Sequence, residues 1–480
     1  MQQSSLQRRS SYTSAQLLAA PEGLQAEIMC ASAIQLIWQA PVTGATGFRI
    51  ERQQDGGVWF HIGTLSATCP QFESTGLLSG HVYRHRVCII SDEMGDWSVS
   101  DALTMPTGYG THQSSVLVPV TDEHPRSGEG SFVLLKNGQL VYYYATYLHS
   151  RVDWAEAYIA SITSDDMGAS WQAPQLVLAH TRYRYTRISV ARMPDGRLLL
   201  VYGRQLPADH TPETDENLPA PGDELHVVCR TSDDDGQTWS EETVLSDDRR
   251  WRFTHSMWDG IRVLSNGRIL VEMQCSQSQE ATYGTYIKYS DDNARTWSRT
   301  PESGCMIVLD NPYANAECGF WEVGIVEYEA GKLLAHGRTV TGWLYECRSD
   351  DYGSTWSAPT RLDIRQSKSP PVLTKIPGTS IIVRIWNPYQ DVYQVYWHLG
   401  KRIILATQLS DDGGLNWHGY REIENGDGYD WYAYPTVYWI GDQLHLAYFC
   451  WQHEGETGEG HGGLEVRYRR VNRDWLLGIG

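Results

Sequence analysis

Beyond residue 107, short apolar runs leave tight polar turns again and again. "NGQLVYYYATY", "DGRLLLVYGR", "NGRILVEMQC", "AGKLLAHGRT", "GTSIIVRIWN" and "GDQLHLAYFC" are six of them. A brief run rich in β-branched and aromatic residues behind a Gly turn predicts a strand. Ahead of residue 107 the pattern is different. "AIQLIWQAP" alternates around Trp38, and "GFRIERQQDGGVWFHIGTL" reads as two strands joined at an Asp-Gly-Gly turn. "LLSGHVYRHRVCII" then sets Tyr83 just before another alternating strand. The fold class is all-β. The expected divisions are a disordered tail over residues 1–20, a small seven-stranded β-sandwich over 21–107, and a larger repeat domain over 108–480.

A second pattern lies between those runs. "SDDMGASW" begins at Ser164, "SDDDGQTW" at Ser232, "SDDNARTW" at Ser290, "SDDYGSTW" at Ser349 and "SDDGGLNW" at Ser410. Their tryptophans, Trp171, Trp239, Trp297, Trp356 and Trp417, stand 58 to 68 residues apart, a period that signals a solenoid or propeller. The aspartates are suited to accept backbone N–H bonds within a hairpin turn, the Gly to take a φ that a Cβ opposes, and the Trp to pack between neighbours. Ala294 replaces Gly in the third copy and Asn416 replaces Thr in the fifth; a structural staple tolerates such drift. These copies resemble the Asp-box of sialidase propellers. The 373 residues after the sandwich, at about 60 per unit, imply a six-bladed β-propeller. "LEVRYRRV" and "SSVLVPVT" are the expected closing pair. The small front unit, with its buried Trp38 and "LSGHVYRHRV", resembles a fibronectin type III domain, a module that more often spaces its neighbours than binds a ligand.

Composition narrows the function. The chain carries 19 Trp, 28 Tyr and 44 Gly against 7 Phe, which suits an all-β protein with frequent turns. Its net charge of −19 argues against nucleic-acid and anionic-membrane partners. An anionic small ligand would need a local group of arginines. Nine cysteines without a CxxC pair argue against a disulfide framework or a zinc site. The polar start lacks the apolar core of a signal peptide, and no run approaches a membrane span. The expected location is cytoplasmic, or exported without a conventional signal; oligomeric state is unknown.

The resemblance to sialidases also implies site residues. Such enzymes hold a substrate carboxylate with three arginines and use a tyrosine nucleophile, a glutamate that takes its proton and an aspartate acid/base. The family's acid/base precedes the first Asp-box, which implies Asp153, eleven residues before Ser164, although its D-x-A-E context is one residue shorter than the family's D-x-x-A-E; Glu156 and Glu129 are alternatives. "WEVGIVEYEAGKLLAHGR" is similar to the family's N-E-S-x-V-V-E-L-x-D-G-x-L-L-x-x-x-R, which implies Glu322 as the tyrosine's base and Arg338 in the clamp. "IWNP" brings Asn387 to the substrate. Arg402, eight residues before Ser410, is the next clamp arginine, with Lys401 beside it as competitor. "WYAYPTVYW" implies Tyr434 as nucleophile, with Tyr432 as alternative on the same strand face.

The family's F/Y-R-I-P motif is absent. Arg126 is taken as the first arginine; Arg187, in "YTRISVARMPDG", looks more like that motif but falls on the second blade. His255 and Asp259, in "HSMWDGIRVL", are placed near the pocket. The implied activity is a retaining exo-α-sialidase acting on a sialylated or other acidic glycan, with no metal or organic cofactor. Its rivals are a propeller glycosidase or lyase for uronates and a non-catalytic glycan binder.

Overall fold

The computed structural model describes residues 19–39, 44–78, 80–91, 94–106, 114–153, 155–179, 183–205, 226–246, 253–276, 282–300, 306–308, 319–388, 402–425, 430–451 and 462–479. Most of the expected tail, and Lys401, lie outside them. The chain divides into two compact units, Met1–Thr107 and Gly108–Gly480.

The first unit has two antiparallel sheets. One pairs Gln25–Cys30, Ala33–Ile37 and Gln71–Thr75. The other runs Trp59–Ser66, Gly47–Gln54, Val82–Ile90, Met94–Val99, with the two-residue strand Leu103–Thr104 also on Val82–Ile90. Alternation places Ile34 and Leu36 of one sheet, with Trp38, against Phe48, Ile50, Val87 and Ile89 of the other in a single core. The Tyr83 hydroxyl accepts the Leu78 N–H at 3.0 Å. Arg86 lies between the rings of Trp59 and Trp97, 4.5 and 4.2 Å from their centroids, and bonds Glu51.

The second unit is built of antiparallel strand groups in chain order. Four sheets start at Arg184–Arg192, Phe253–Val263, Trp321–Glu329 and Val372–Lys375. A fifth, of eight strands, divides at one parallel pair, Arg126 with Leu464, into a run starting at Arg126–Leu134 and a run starting at Trp431–Ile440. In that last run Leu464–Asn472 pairs with Ser115–Val118, so the segment after residue 113 closes the last group, the pairing expected from the sequence. The six apolar runs read from the sequence are the second strands of these groups; Leu140–Tyr147, for example, is buried throughout. A strand covered on both faces reads as continuous apolar sequence. The first strand of each group packs against the first strand of the next, and Trp431–Ile440 returns against Arg126–Leu134.

The five acidic repeats are turns whose aspartates bond their own hairpin. In each, the Ser hydroxyl donates to the second Asp at 2.8 Å: Asp166, Asp234, Asp292, Asp351 and Asp412. That Asp also accepts the backbone N–H and the side chain of the residue four on, Asn416 serving as Thr does elsewhere. Ala294, at φ 63°, still donates its N–H to Ser290 as the glycines do. These bonds, led by the hydroxyl of Ser170, Thr238 or Thr296, hold Asp166, Asp234 and Asp292 at a pKa of about 2. Among the described residues no cluster of His, Cys, Asp and Glu could hold a metal ion, and no helix is long and apolar enough to cross a membrane.

Candidate active site

Five of the first strands break register at the same place: Gly128/Ser131, Thr186/Ser189, Ser256/Ile261, Trp321/Gly324 and Ala433/Thr436. At each break one residue turns left-handed: Glu129 (φ 50°), Arg187 (59°), Asp259 (52°), Glu322 (49°) and Tyr434 (59°). A side chain with a Cβ resists this region, and a bulge re-aims what it carries. All five bear an ionisable group. They converge, because contacts between them cross from one strand group to another.

Glu322 is the centre of the first cluster. Its Oε2 accepts from Arg338 Nη1 at 2.5 Å, and its Oε1 from Arg187 Nη1 at 3.4 Å. Arg338 Nη1 also reaches the Tyr434 hydroxyl at 3.3 Å. Arg338 comes to Glu322 because Trp321 and Arg338 are paired across the hairpin, and its guanidinium stacks on the Trp321 ring at 4.1 Å. Tyr434 is held between the rings of Trp258, 4.4 Å away, and Phe449, 5.1 Å away. Arg402, anchored through the Lys368 carbonyl, lies 5.2 Å from the centroid of the Tyr434 ring. The bulge separates Tyr434 from Tyr432. Tyr432 packs with Tyr448 in the core, its phenol pushed far up by burial, so it does not share the face expected of it.

The second cluster surrounds Arg126. One Nη bonds Asp153 and the Arg151 carbonyl, the other bonds Glu129 at 2.8 Å, and the guanidinium lies over Tyr147 at 4.3 Å. Arg184 donates to the Asp153 carbonyl and to Gln205. Partial withdrawal from water opposes ionisation of Asp153, but the adjacent Arg126, joined by Arg187 and Arg184, holds its carboxyl below the ordinary range. Asp259 shows the reverse. Burial raises it against the pull of Arg262, and its side chain faces the Val437 N–H.

Asn387 and His255 are both buried. Asn387 donates its amide to the carbonyls of Ile404 and Tyr432, at 2.6 and 2.7 Å. It ties down the strand that carries Tyr434. His255 is buried and held neutral, its protonation opposed by burial and by Arg187 and Arg184. Glu272, which no motif singled out, is fully buried. It accepts the N–H groups of Met257 at 2.9 Å and Val323 at 3.4 Å, each next to a bulge of the ring. Burial, with Glu322 nearby, pushes its pKa to about 8 against those two bonds.

The sequence profile of the BNR repeat-like domain covers residues 189–446, more than half of the chain. The protein belongs to that family. Solved structures of sialidases share its fold. The NanB sialidase of Streptococcus pneumoniae is 12% identical over 95% of this chain and 94% of its own, with a TM-score of 0.57. The leech intramolecular trans-sialidase, solved with 2,7-anhydro-Neu5Ac, is 14% identical over 96% and 93%, at 0.58. Trypanosoma rangeli sialidase, solved with sialic acid, is 16% identical over 77% and 58%, at 0.53. No curated protein matches this BNR-family chain in sequence. Its all-β second unit therefore has the architecture of sialidase propellers.

Proposed function

We propose that the second unit is a six-bladed propeller and that its ring of bulges is the active site of a retaining exo-α-sialidase. The supporting observation is the Tyr434 hydroxyl beside Arg338, whose same Nη1 binds Glu322, with Arg402 against the tyrosine ring. A phenol set among cations and a carboxylate is equipped to lose its proton as it attacks. Around it five arginines (126, 184, 187, 338 and 402) face three carboxylates, Glu129, Asp153 and Glu322. Asp259 and Glu272 are drawn toward their neutral forms. In a chain of net charge −19 this local excess of cations fits an anionic sugar.

In this reading Arg338 and Arg402 bind the substrate carboxylate. Tyr434 attacks the anomeric carbon and passes its proton to Glu322, and Asp153 protonates the departing glycan oxygen. Asp153 then takes a proton from water, which displaces Tyr434, and Glu322 returns the phenol's proton. The depressed pKa of Asp153 confines its acid form to low pH, so turnover rises as the pH falls toward the pKa of Asp153 in the complex. A uronate-specific glycosidase is the second reading, favoured by the engagement of Arg126 with Asp153 and Glu129. Product analysis after incubation with a sialyllactose and with an oligouronate decides: release of free sialic acid supports the first, and uronate cleavage alone supports the second.

A further inference from the structure

Glu129 stands on the first-strand bulge of its group, three residues after Arg126, and it binds that arginine. Arg126 is thereby committed at both Nη atoms, while one of its faces rests on Tyr147. With three of its five N–H groups taken and its Nε buried without a partner, this guanidinium has no open fork for a bidentate bond to an incoming carboxylate. Arg187 differs in each respect. It sits on a left-handed bulge, the position that also presents Glu322 and Tyr434. Its single hydrogen-bond partner among the described residues is Glu322, at a long 3.4 Å. Its side chain is 16% accessible, against 8% for Arg126 and 6% for Arg338. Glu322 places it next to Arg338, one arginine on each carboxylate oxygen. The charge of Arg187 is further stabilised by Glu129, Tyr434 and Tyr147, groups from both clusters, so it lies between them.

We infer that Arg187, from the second strand group, is the third arginine of the carboxylate clamp with Arg338 and Arg402, and that Arg126 is a positioning residue for Asp153. This rests on the sialidase reading of the site. The left-handed turn at Arg187 is the physical reason: a strained residue persists where its side chain is needed at one place. It also explains how the site does without the arginine of the absent F/Y-R-I-P motif, because the bulge of the second strand group supplies one.

The test is calorimetric binding of 2-deoxy-2,3-didehydro-N-acetylneuraminic acid and of its methyl ester. The ratio of the two affinities measures recognition of the carboxylate charge. The intact protein should prefer the acid, and Arg187→Ala should lose roughly ten- to hundredfold of that preference, as expected for a charged hydrogen bond. Arg187→Lys keeps the charge without the fork; a tenfold loss there supports the clamp even if the alanine variant fails to fold, and an unchanged ratio overturns it. Arg126→Ala should keep the preference for the acid. Its turnover–pH profile should instead move to higher pH, because Asp153 loses the main cation that lowers its pKa. Loss of the preference in Arg126→Ala but not in the Arg187 variants would overturn the inference and leave the sialidase reading standing. An intact protein that binds neither compound, or both equally, would overturn the two together.

Discussion

The Asp-box turns and the first-strand bulges both hold non-glycine residues at positive φ, and they use that strain in opposite ways. In the boxes the left-handed residues are Met167, Asp235, Asn293 with Ala294, and Tyr352. Their side chains follow no chemical rule, while the bonds of the flanking Ser and Asp are the same in every copy. In the five bulges the left-handed non-glycine residue is always ionisable. A box needs only its backbone shape, so its side chain drifts. A bulge exists to aim a side chain, so the strain marks the chemistry.

Substitutions in the two regions should separate accordingly. The largest effect belongs to the bulges: Glu322→Gln should lower kcat by about 10² to 10⁴, the usual worth of a positioned acid or base, measured on a fluorogenic sialoside. The next concerns the buried Glu272 beneath two bulges. Its pKa in the folded protein is near 8 against an ordinary 4.5, so folding takes up a proton between those values. The stability it contributes therefore falls by roughly 1.4 kcal/mol per pH unit across that window and is level outside it. Urea unfolding at pH 5 and pH 8 should show Glu272→Gln gaining on the parent as the pH rises; parallel curves would refute the buried neutral carboxyl.

Gly128→Ala tests the backbone of the first bulge. A Cβ there would lie 2.0 Å from the Phe449 ring, which backs Tyr434. Overpacking of this kind costs about 1–3 kcal/mol and should show as a lowered Tm together with lowered turnover. In the boxes, Asp234→Ala removes the acceptor for Ser232 and Thr238. It should lower stability by about 1–2 kcal/mol without changing kcat. Smallest of all, Met167→Gly relieves a strained φ at an exposed turn and should stabilise by about 1 kcal/mol. A large activity change in either box variant would break the division between the two regions.

What the sequence disclosed follows the same line. The box is a local object, with the bonds of its Ser and second Asp inside eight residues, so its motif reads directly. Glu322 and Arg338 were also legible, because one hairpin sets their distance and its length is visible in the chain. Arg187 was not. It meets Glu322 across 135 residues, and its value appears only once the strand groups are placed around a common centre. Nor could spacing show that Arg126 faces Glu129 and Asp153 at once, or that Asn387 holds backbone carbonyls. Tyr434 and Tyr432 looked equivalent two residues apart until a bulge turned one to the site and the other to the core.

The central claim is tested most directly by release of 4-methylumbelliferone from its N-acetylneuraminic acid conjugate, with the intact protein and Tyr434→Phe side by side. The account predicts turnover by the first and a loss of several orders of magnitude in the second, with an unchanged Tm. Equal turnover by both would remove Tyr434 as nucleophile, and no turnover by the folded parent would contradict the sialidase reading itself.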